Sequence, residues 1–342
     1  MSWQDQLNGN PLPWLLEANS PGVRYLALRD LVDAPKTAEL RAARTAAHKR
    51  GPIAVILRNM EEAGYWVKPG PGYSPKYHST VWSMITLAQL GASADEDKRI
   101  GQACTYVLDH ALADGGQFSS LSSGAPAGTV DCLQGNLCWS LRELGCDDPR
   151  LDTAFDWMAR TVTGEGIAPA SAVDAPRHYH VYKSGPGFAC GVNADLPCAW
   201  GGVKVLLALA RLPAQRRTPV IKRAIRRGVN FLLSIDPATA AYPTRQGDKP
   251  SRNWWKFGFP VFYVTDLVQL VEVLVALGYG RDRRLTHALQ LIRDKQDLHG
   301  RWSLDFDYLT GRLWLDFGAP KKPNKWVTLR ALRVLKAAAT DR

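Results

Sequence analysis

Apolar residues recur along this chain at the i, i+3, i+4, i+7 spacing of helices that bury one face. The pattern is clearest between Thr265 and Trp302. Leu267, Leu270, Val271, Leu274 and Leu277 mark one helix, and Gly278 and Gly280 supply a stop and a turn. Leu285, Ala288, Leu289 and Ile292 then mark a second, antiparallel helix. The unit closes on Gln296, Gly300 and Trp302, a Q-x-x-x-G-x-W tail. Such a pair cannot bury both of its faces alone, so its neighbours should resemble it.

The rest of the chain repeats the cycle. Ser20 and Pro21 read as N-cap and first helical residue of a helix VRYLALRDLV. Helical patterns follow over Lys36–Gly64 (broken at Gly51-Pro52), Thr80–Leu90, Asp97–Ala113, Asp131–Leu144, Asp148–Thr161, Pro197–Leu212 and Val220–Leu233. The last is KWVTLRALRVLKA, which has no partner after it. Gly64-Tyr65-Trp66 echoes the tail, and Gly116-Gln117-Phe118 is a degenerate form of it. Stops at Gly91, Gly145, Pro213 and Gly278 give a period of about 55–65 residues, long for an open solenoid. Open arrays need polar terminal repeats. Here the stretch from Arg24 resembles the stretch from Lys325, and both are apolar. A closed ring of roughly six inner and five outer helices is therefore expected. Residues 1–20 read as a tether anchored by Trp3 and Trp14, ahead of a single domain over 21–342.

Helix pairs punctuated by these tails resemble the α/α-toroid superfamily of squalene and oxidosqualene cyclases and protein prenyltransferase β subunits, over about residues 20–340. The resemblance implies an all-α fold, an (α/α)5-6 toroid. It also implies an isoprenoid or other apolar substrate held in a central aromatic-lined cavity and cyclised, isomerised or hydrated after protonation. Two departures stand out. The cyclases carry D-x-D-D-T at an inner-helix start, whereas here Asp266 stands alone at such a start and Asp305-Phe-Asp307 follows the tail. The zinc prenyltransferases use an Asp, a nearby Cys and a later His; Asp195-Leu-Pro-Cys198 echoes the first two, and Phe262-Tyr263 brings no His.

In such a toroid the inner-helix starts and the loops before them face one mouth, which directs the search for a site. The candidate catalytic residues are Asp266, Cys198, His78, Asp131 and Cys132. Asp266 is the preferred acid, since a carboxyl walled by Trp254, Trp255, Phe257, Phe259 and Tyr263 would have its pKa raised by desolvation. Its bland reading is a helix N-cap favoured by the macrodipole. Cys132 and Cys198 hold equivalent helix starts, where a thiol pKa falls, although buried filler explains them too. Tyr77, Trp82, Trp200, Trp254, Trp255, Phe259, Tyr263 and Trp326 are candidate substrate contacts whose π faces can stabilise a cation. Arg24, Lys204 and Lys325 can face a diphosphate, or simply snorkel at the surface. The insertion over about Gly164–Leu196 adds His178, His180 and Cys190, which with Cys198 would make a His₂Cys₂ zinc site. The spacing H-x-H-x9-C-x7-C matches no standard zinc pattern, so no cofactor is expected and zinc remains an alternative.

Composition adds less. A chain of 342 residues with 46% hydrophobic and 22% charged residues is globular. The start shows no basic region followed by an apolar run, and no apolar stretch approaches the ~18 residues that span a bilayer. Six cysteines are then expected to be reduced thiols in a cytoplasm. The net charge of +11 suggests an anionic partner, with Arg211, Arg216, Arg217, Lys222, Arg223, Arg226 and Arg227 crowded on one turn and helix. A solvated helix face or a peripheral membrane contact accounts for that cluster, and no specific nucleic-acid binding is expected. P-loop, serine-hydrolase and zincin motifs are missing. Three readings remain: an apolar-substrate enzyme, a non-catalytic scaffold for an anionic partner or membrane, and a zinc-dependent transferase. Glycan chemistry, also seen in (α/α)6 barrels, would draw its two carboxylates from Asp131, Asp195 and Asp266.

Overall fold

A computed structural model describes residues 3–121, 128–169, 180–181, 183–247, 249–305 and 309–340. Its helices are α1 Leu12–Leu15, α2 Pro21–Asp30, α3 Thr37–Lys49, α4 Pro52–Arg58, α5 Thr80–Gln89, α6 Lys98–Ala111, α7 Asp131–Glu143, α8 Arg150–Thr163, α9 Ala199–Ala210, α10 Pro219–Leu232, α11 Leu267–Ala276, α12 Thr286–Asp294 and α13 Lys325–Thr340. Two short sheets lie in the insertion. β1 Ala168–Pro169 pairs in parallel with β2 His180–Val181, and β3 Ser184–Gly185 pairs antiparallel with β4 Ala189–Cys190.

Six helices, α2, α5, α7, α9, α11 and α13, are buried over most of their length. Packing runs from α5 to α7, α9, α11, α13 and α2, with Gly91 at the end of α5 meeting Leu26 of α2 to close the circuit. The outer layer is α3 with α4, then α6, α8, α10 and α12, each with one apolar stripe inward. The architecture is the expected α/α toroid of six inner and five outer positions. The expected break at Gly51 is present, with Gly51 at φ +81° between α3 and α4. Ser20 precedes α2 as expected, but its hydroxyl makes no capping bond.

The tails are structural stitches between an outer helix and the next inner one. Trp66 and Trp302 are fully buried. Their indole N–H groups donate back to Ile56 and Ile292 at 2.8 and 2.7 Å, and their backbone N–H groups donate to Thr80 and Thr328 on α5 and α13. Phe118 does the same through its N–H, which donates to the Gln134 side chain of α7 at 2.7 Å. Gly300 has φ +70°, and a Cβ there would stand 2.5 Å from the Gly9 carbonyl oxygen, so only glycine fits. That contact places the N-terminal segment where a sixth outer helix would lie. The Asn8 N–H donates to the Gln296 side chain at 2.8 Å, and Gln296 donates to the Gln6 carbonyl.

The ring has no large axial cavity among the described residues, which corrects the expected central chamber. Gly135 of α7 lies against Lys204 of α9 so closely that a Cβ would meet the Lys204 carbonyl carbon at 2.4 Å. Residues from all six inner helices, including Leu26, Gln89, Trp139, Leu207, Gln269 and Arg330, enclose an axial space of only about 50 Å³. Larger recesses lie at the ends. The C-terminal ends of the inner helices border about 630 Å³ lined by Arg29, Asp30, Glu143, Arg211, Glu272 and Arg333, and the mouth at their N-terminal ends holds about 310 Å³.

Candidate active site

Local helix starts set the geometry of the mouth. Asp131 is the first residue of α7, Cys198 is the N-cap of α9, and Asp266 is the N-cap of α11. Cys198 Sγ accepts the Gly201 N–H at 3.5 Å. A Cβ on Gly201 would stand 3.2 Å from that of Asp131, so the first turns of α7 and α9 touch at Asp131, Cys198 and Gly201. One turn further, Lys204 is completely buried, and its ammonium donates to Gln269, whose side-chain oxygen also accepts from Thr265 at 2.6 Å.

Asp131 is the anomalous group. It is 5% exposed, and neither carboxyl oxygen has a hydrogen-bond partner among the described residues. Burial pushes its pKa up to about 8, and the negative charge of Cys190 adds to the effect. The helix dipole at a first-turn position favours the ionised form by only about 0.3–1 kcal/mol, less than the cost of burying a bare carboxylate. Asp131 is therefore mainly a neutral acid near neutral pH. Burial likewise raises the Cys132 thiol to about 12, against the attraction of Lys204. Burial also pulls Lys204 down to about 7.

Asp266 has a different environment from the expected one. Arg330 of α13 forks onto its two carboxyl oxygens at 2.8 Å each and donates to the Gly258 carbonyl at 2.7 Å. The Gln269 N–H donates to Asp266 at 2.9 Å, the helix cap. Burial alone would raise this carboxyl, but the charge and hydrogen bonds of Arg330 with the Gln269 and Gly258 N–H groups hold it below its ordinary value. The expected elevation is thus reversed, because Arg330 and the two N–H donors outweigh the desolvation, and the expected aromatic residues are engaged elsewhere. Trp255 donates to the Ala238 carbonyl, Phe257 lies under Lys295, and Phe259 stacks on Trp326 at 4.7 Å.

The aromatic candidates divide into three clusters. Tyr77, Trp82 and Tyr263 pack together with Tyr73 and Phe262, with centroids 4.9 to 5.5 Å from the Trp82 ring for Tyr77, Tyr263, Phe262 and Tyr73. Phe259, Phe317 and Trp326 form the second. The third, Trp200 and Trp254 with Tyr242, lines the 310 Å³ recess at the mouth, beside Cys190, Cys198, Val192, Thr244 and Arg245. Val192 is 63% exposed there, an apolar rim on an apolar floor.

Other candidates have structural partners. His78 stands edge-on to Trp314 at 5.0 Å. Arg24 donates to the Leu16 carbonyl and pairs with Glu39 at 2.7 Å, and Lys325 pairs with Glu17 at 2.8 Å over the Trp14 ring. Neither supports the expected head-group clamp; both pin the N-terminal segment. The basic cluster on α10 and the turn before it is partly neutralised, with Arg216 on Asp152 and Arg223 on Glu165. Asp195 is exposed. For the zinc alternative, His178 and the His180 side chain lie outside the described residues, as does Asp307. Among the described residues no cluster of three or more His, Cys, Asp or Glu is arranged for a metal. Sequence reasoning missed Arg330, Tyr73 and Gln269. Arg330 had a signal, because it falls on the buried stripe of α13 with Val327 and Val334, where a cation needs an acid.

No protein-family model matches the chain, and no curated protein matches it in sequence. Solved structures match it distantly. The type II terpene cyclase MstE from Scytonema is 14% identical, with 88% of this chain and 99% of that one covered and a TM-score of 0.32. A substituted form of that cyclase in complex with geranylgeranyl dihydroxybenzoate gives 14% identity, 88% and 98% coverage and a TM-score of 0.33. An unsaturated glucuronyl hydrolase specific for heparin gives 12% identity, 93% and 84% coverage and a TM-score of 0.49. With every one of these scores below 0.5, the toroid assignment rests on the helix order and packing described above. No helix among the described residues is long and apolar enough to cross a membrane.

Proposed function

We propose that the protein is an enzyme acting on a small apolar or isoprenoid substrate at the mouth of the toroid, with Asp131 as the proton donor. The observation that carries this reading is a buried carboxyl with both oxygens unpartnered among the described residues, packed against the first turn of α9, whose N-cap Cys198 lines an apolar recess. A recess of about 310 Å³ lies at the small end of the ~300–1,000 Å³ usual for ligand sites. It suits a short chain and not a triterpene. Trp200, Tyr242 and Trp254 supply the π faces that a developing cation needs. Cys132 neighbours the acid in the chain, and its thiol is held in the protonated form by burial. The reaction class is acid-initiated isomerisation, cyclisation or hydration.

The test is a panel of geraniol, farnesol and geranylgeraniol, with squalene as the substrate expected to be refused and products read by gas chromatography and mass spectrometry. Wild-type protein should convert at least one, and Asp131→Asn should lose at least 100-fold in rate, as expected for a general acid, with an unchanged circular dichroism spectrum. Turnover retained in Asp131→Asn removes the role of the acid.

The packed axis favours a second reading, a scaffold whose outer face holds an anionic partner. It predicts binding to anionic vesicles that weakens steeply with salt. The ion pairs of Arg216 and Arg223 reduce the charge available for it.

A further inference from the structure

The recess at the mouth contains a feature that the proposed acid chemistry does not use. β4 ends at Cys190, and the chain returns so that Ala189 bridges Pro197 in antiparallel register. The flanking bonds are Cys198 N–H to the Phe188 carbonyl at 2.8 Å and Cys190 N–H to the Leu196 carbonyl at 3.2 Å. In such a ladder, residues one step either side of a bridge share a face. Cys190 and Cys198 therefore project from one face as diagonal neighbours, with their thiols in hydrogen-bonding contact. Both line the recess, and both are partly exposed.

We propose that Cys190 and Cys198 form a reactive dithiol that closes to a disulfide on reaction with a low-molecular-weight disulfide entering the recess. The Cys190 thiolate attacks one sulfur of the incoming disulfide, forms a mixed disulfide and releases one thiolate. Cys198 then gives up its proton, and its sulfur attacks the Cys190 sulfur, expelling the second thiolate. The two protein thiols lose two electrons, and the small disulfide gains them as two thiols.

The division of roles follows from the surroundings. The hydrogen bond from Cys198 holds the Cys190 thiol down at about 6 against its burial, and the N–H groups of Val192 and Asn193 add to the effect. The Cys198 thiol is raised by donating that bond and by burial. Cys190, the less deeply buried of the two, is assigned as the nucleophile, and Cys198 as the resolving thiol. A second contacting pair, Cys104 and Cys146, lies away from the recess with Cys104 buried, and it provides an internal comparison.

The experiment is to incubate the full chain with glutathione disulfide, block remaining thiols and map the peptides by mass spectrometry without reduction. The expected result is a cross-link between the peptides bearing Cys190 and Cys198, formed before any at Cys104 and Cys146 and retaining no glutathione. Cys198→Ser should accumulate the glutathione adduct on Cys190, and Cys190→Ser should leave Cys198 unmodified over the same time. A wild-type protein that keeps glutathione without cross-linking, or that cross-links only Cys104 to Cys146, overturns the proposal. The result does not depend on any turnover by Asp131.

Discussion

Asp131 and Asp266 stand at the starts of inner helices two positions apart in the ring, yet their surroundings are opposite. Asp266 sits at the N-cap, accepts a backbone N–H and is forked by Arg330. Asp131 sits one residue further in, at the first helical position, and receives neither. The Arg330 fork, with the capping N–H as a smaller contribution, keeps Asp266 a carboxylate, and the lack of both among the described residues leaves Asp131 a neutral acid. A buried carboxyl with a matched cation is a fold element, and one without is a chemical group. Among the described residues Asp266 is the first kind, and Asp131 is the candidate for the second.

The largest effect expected from breaking this comparison is at Asp266. Asp266→Ala leaves Arg330 buried without its anion, which should cost about 3–5 kcal/mol in urea unfolding; a loss under about 1 kcal/mol would show the pair to be incidental. The pH dependence of stability sharpens the contrast. For Asp131 the folded value of about 8 lies above the unfolded value near 4, so the native state binds the extra proton between them. Its contribution to stability falls as pH rises from about 4 to about 8, by a few kcal/mol. Asp131→Asn should remove that slope, and equal slopes in both proteins would contradict the burial argument. Asp266 works in the other direction: its depressed value makes its contribution present above about pH 4 and lost as pH falls below that. Comparing Asp266→Asn with wild type in acid should therefore show the gap narrowing. The smallest effect is expected at Gly135→Ala, where the added methyl must push α7 off Lys204. It should cost about 1–3 kcal/mol and perturb the acid without touching it, read as a shift in the Asp131-dependent slope.

Much of the ring was legible in the chain because its signals are local. Tail residues such as Trp66 and Trp302 announce a buried aromatic after an outer helix, and Gly300 announces a positive φ. The likeness of the segments at Arg24 and Lys325 pointed to closure, and both ends do meet. The site was legible only as a set of helix starts. Asp131, Cys132 and Cys198 were among the candidates, but which acid is paired depends on Arg330, 64 residues beyond Asp266. The filled axis was likewise invisible, since it depends on how closely α7 and α9 approach at Gly135. Aromatic content alone does not distinguish a cavity wall from three separate packing clusters.

The N-terminal segment that occupies the sixth outer position has a consequence for how the chain is made. Asn8 bonds to Gln296, and Lys325 bonds to Glu17, so residues 8–17 find these partners only after about 300 further residues have been made. Contacts of such long sequence separation slow folding. The earlier helix pairs can assemble during synthesis, but the ring is a split washer until α13 emerges. A deletion within residues 8–17 would act on that seam.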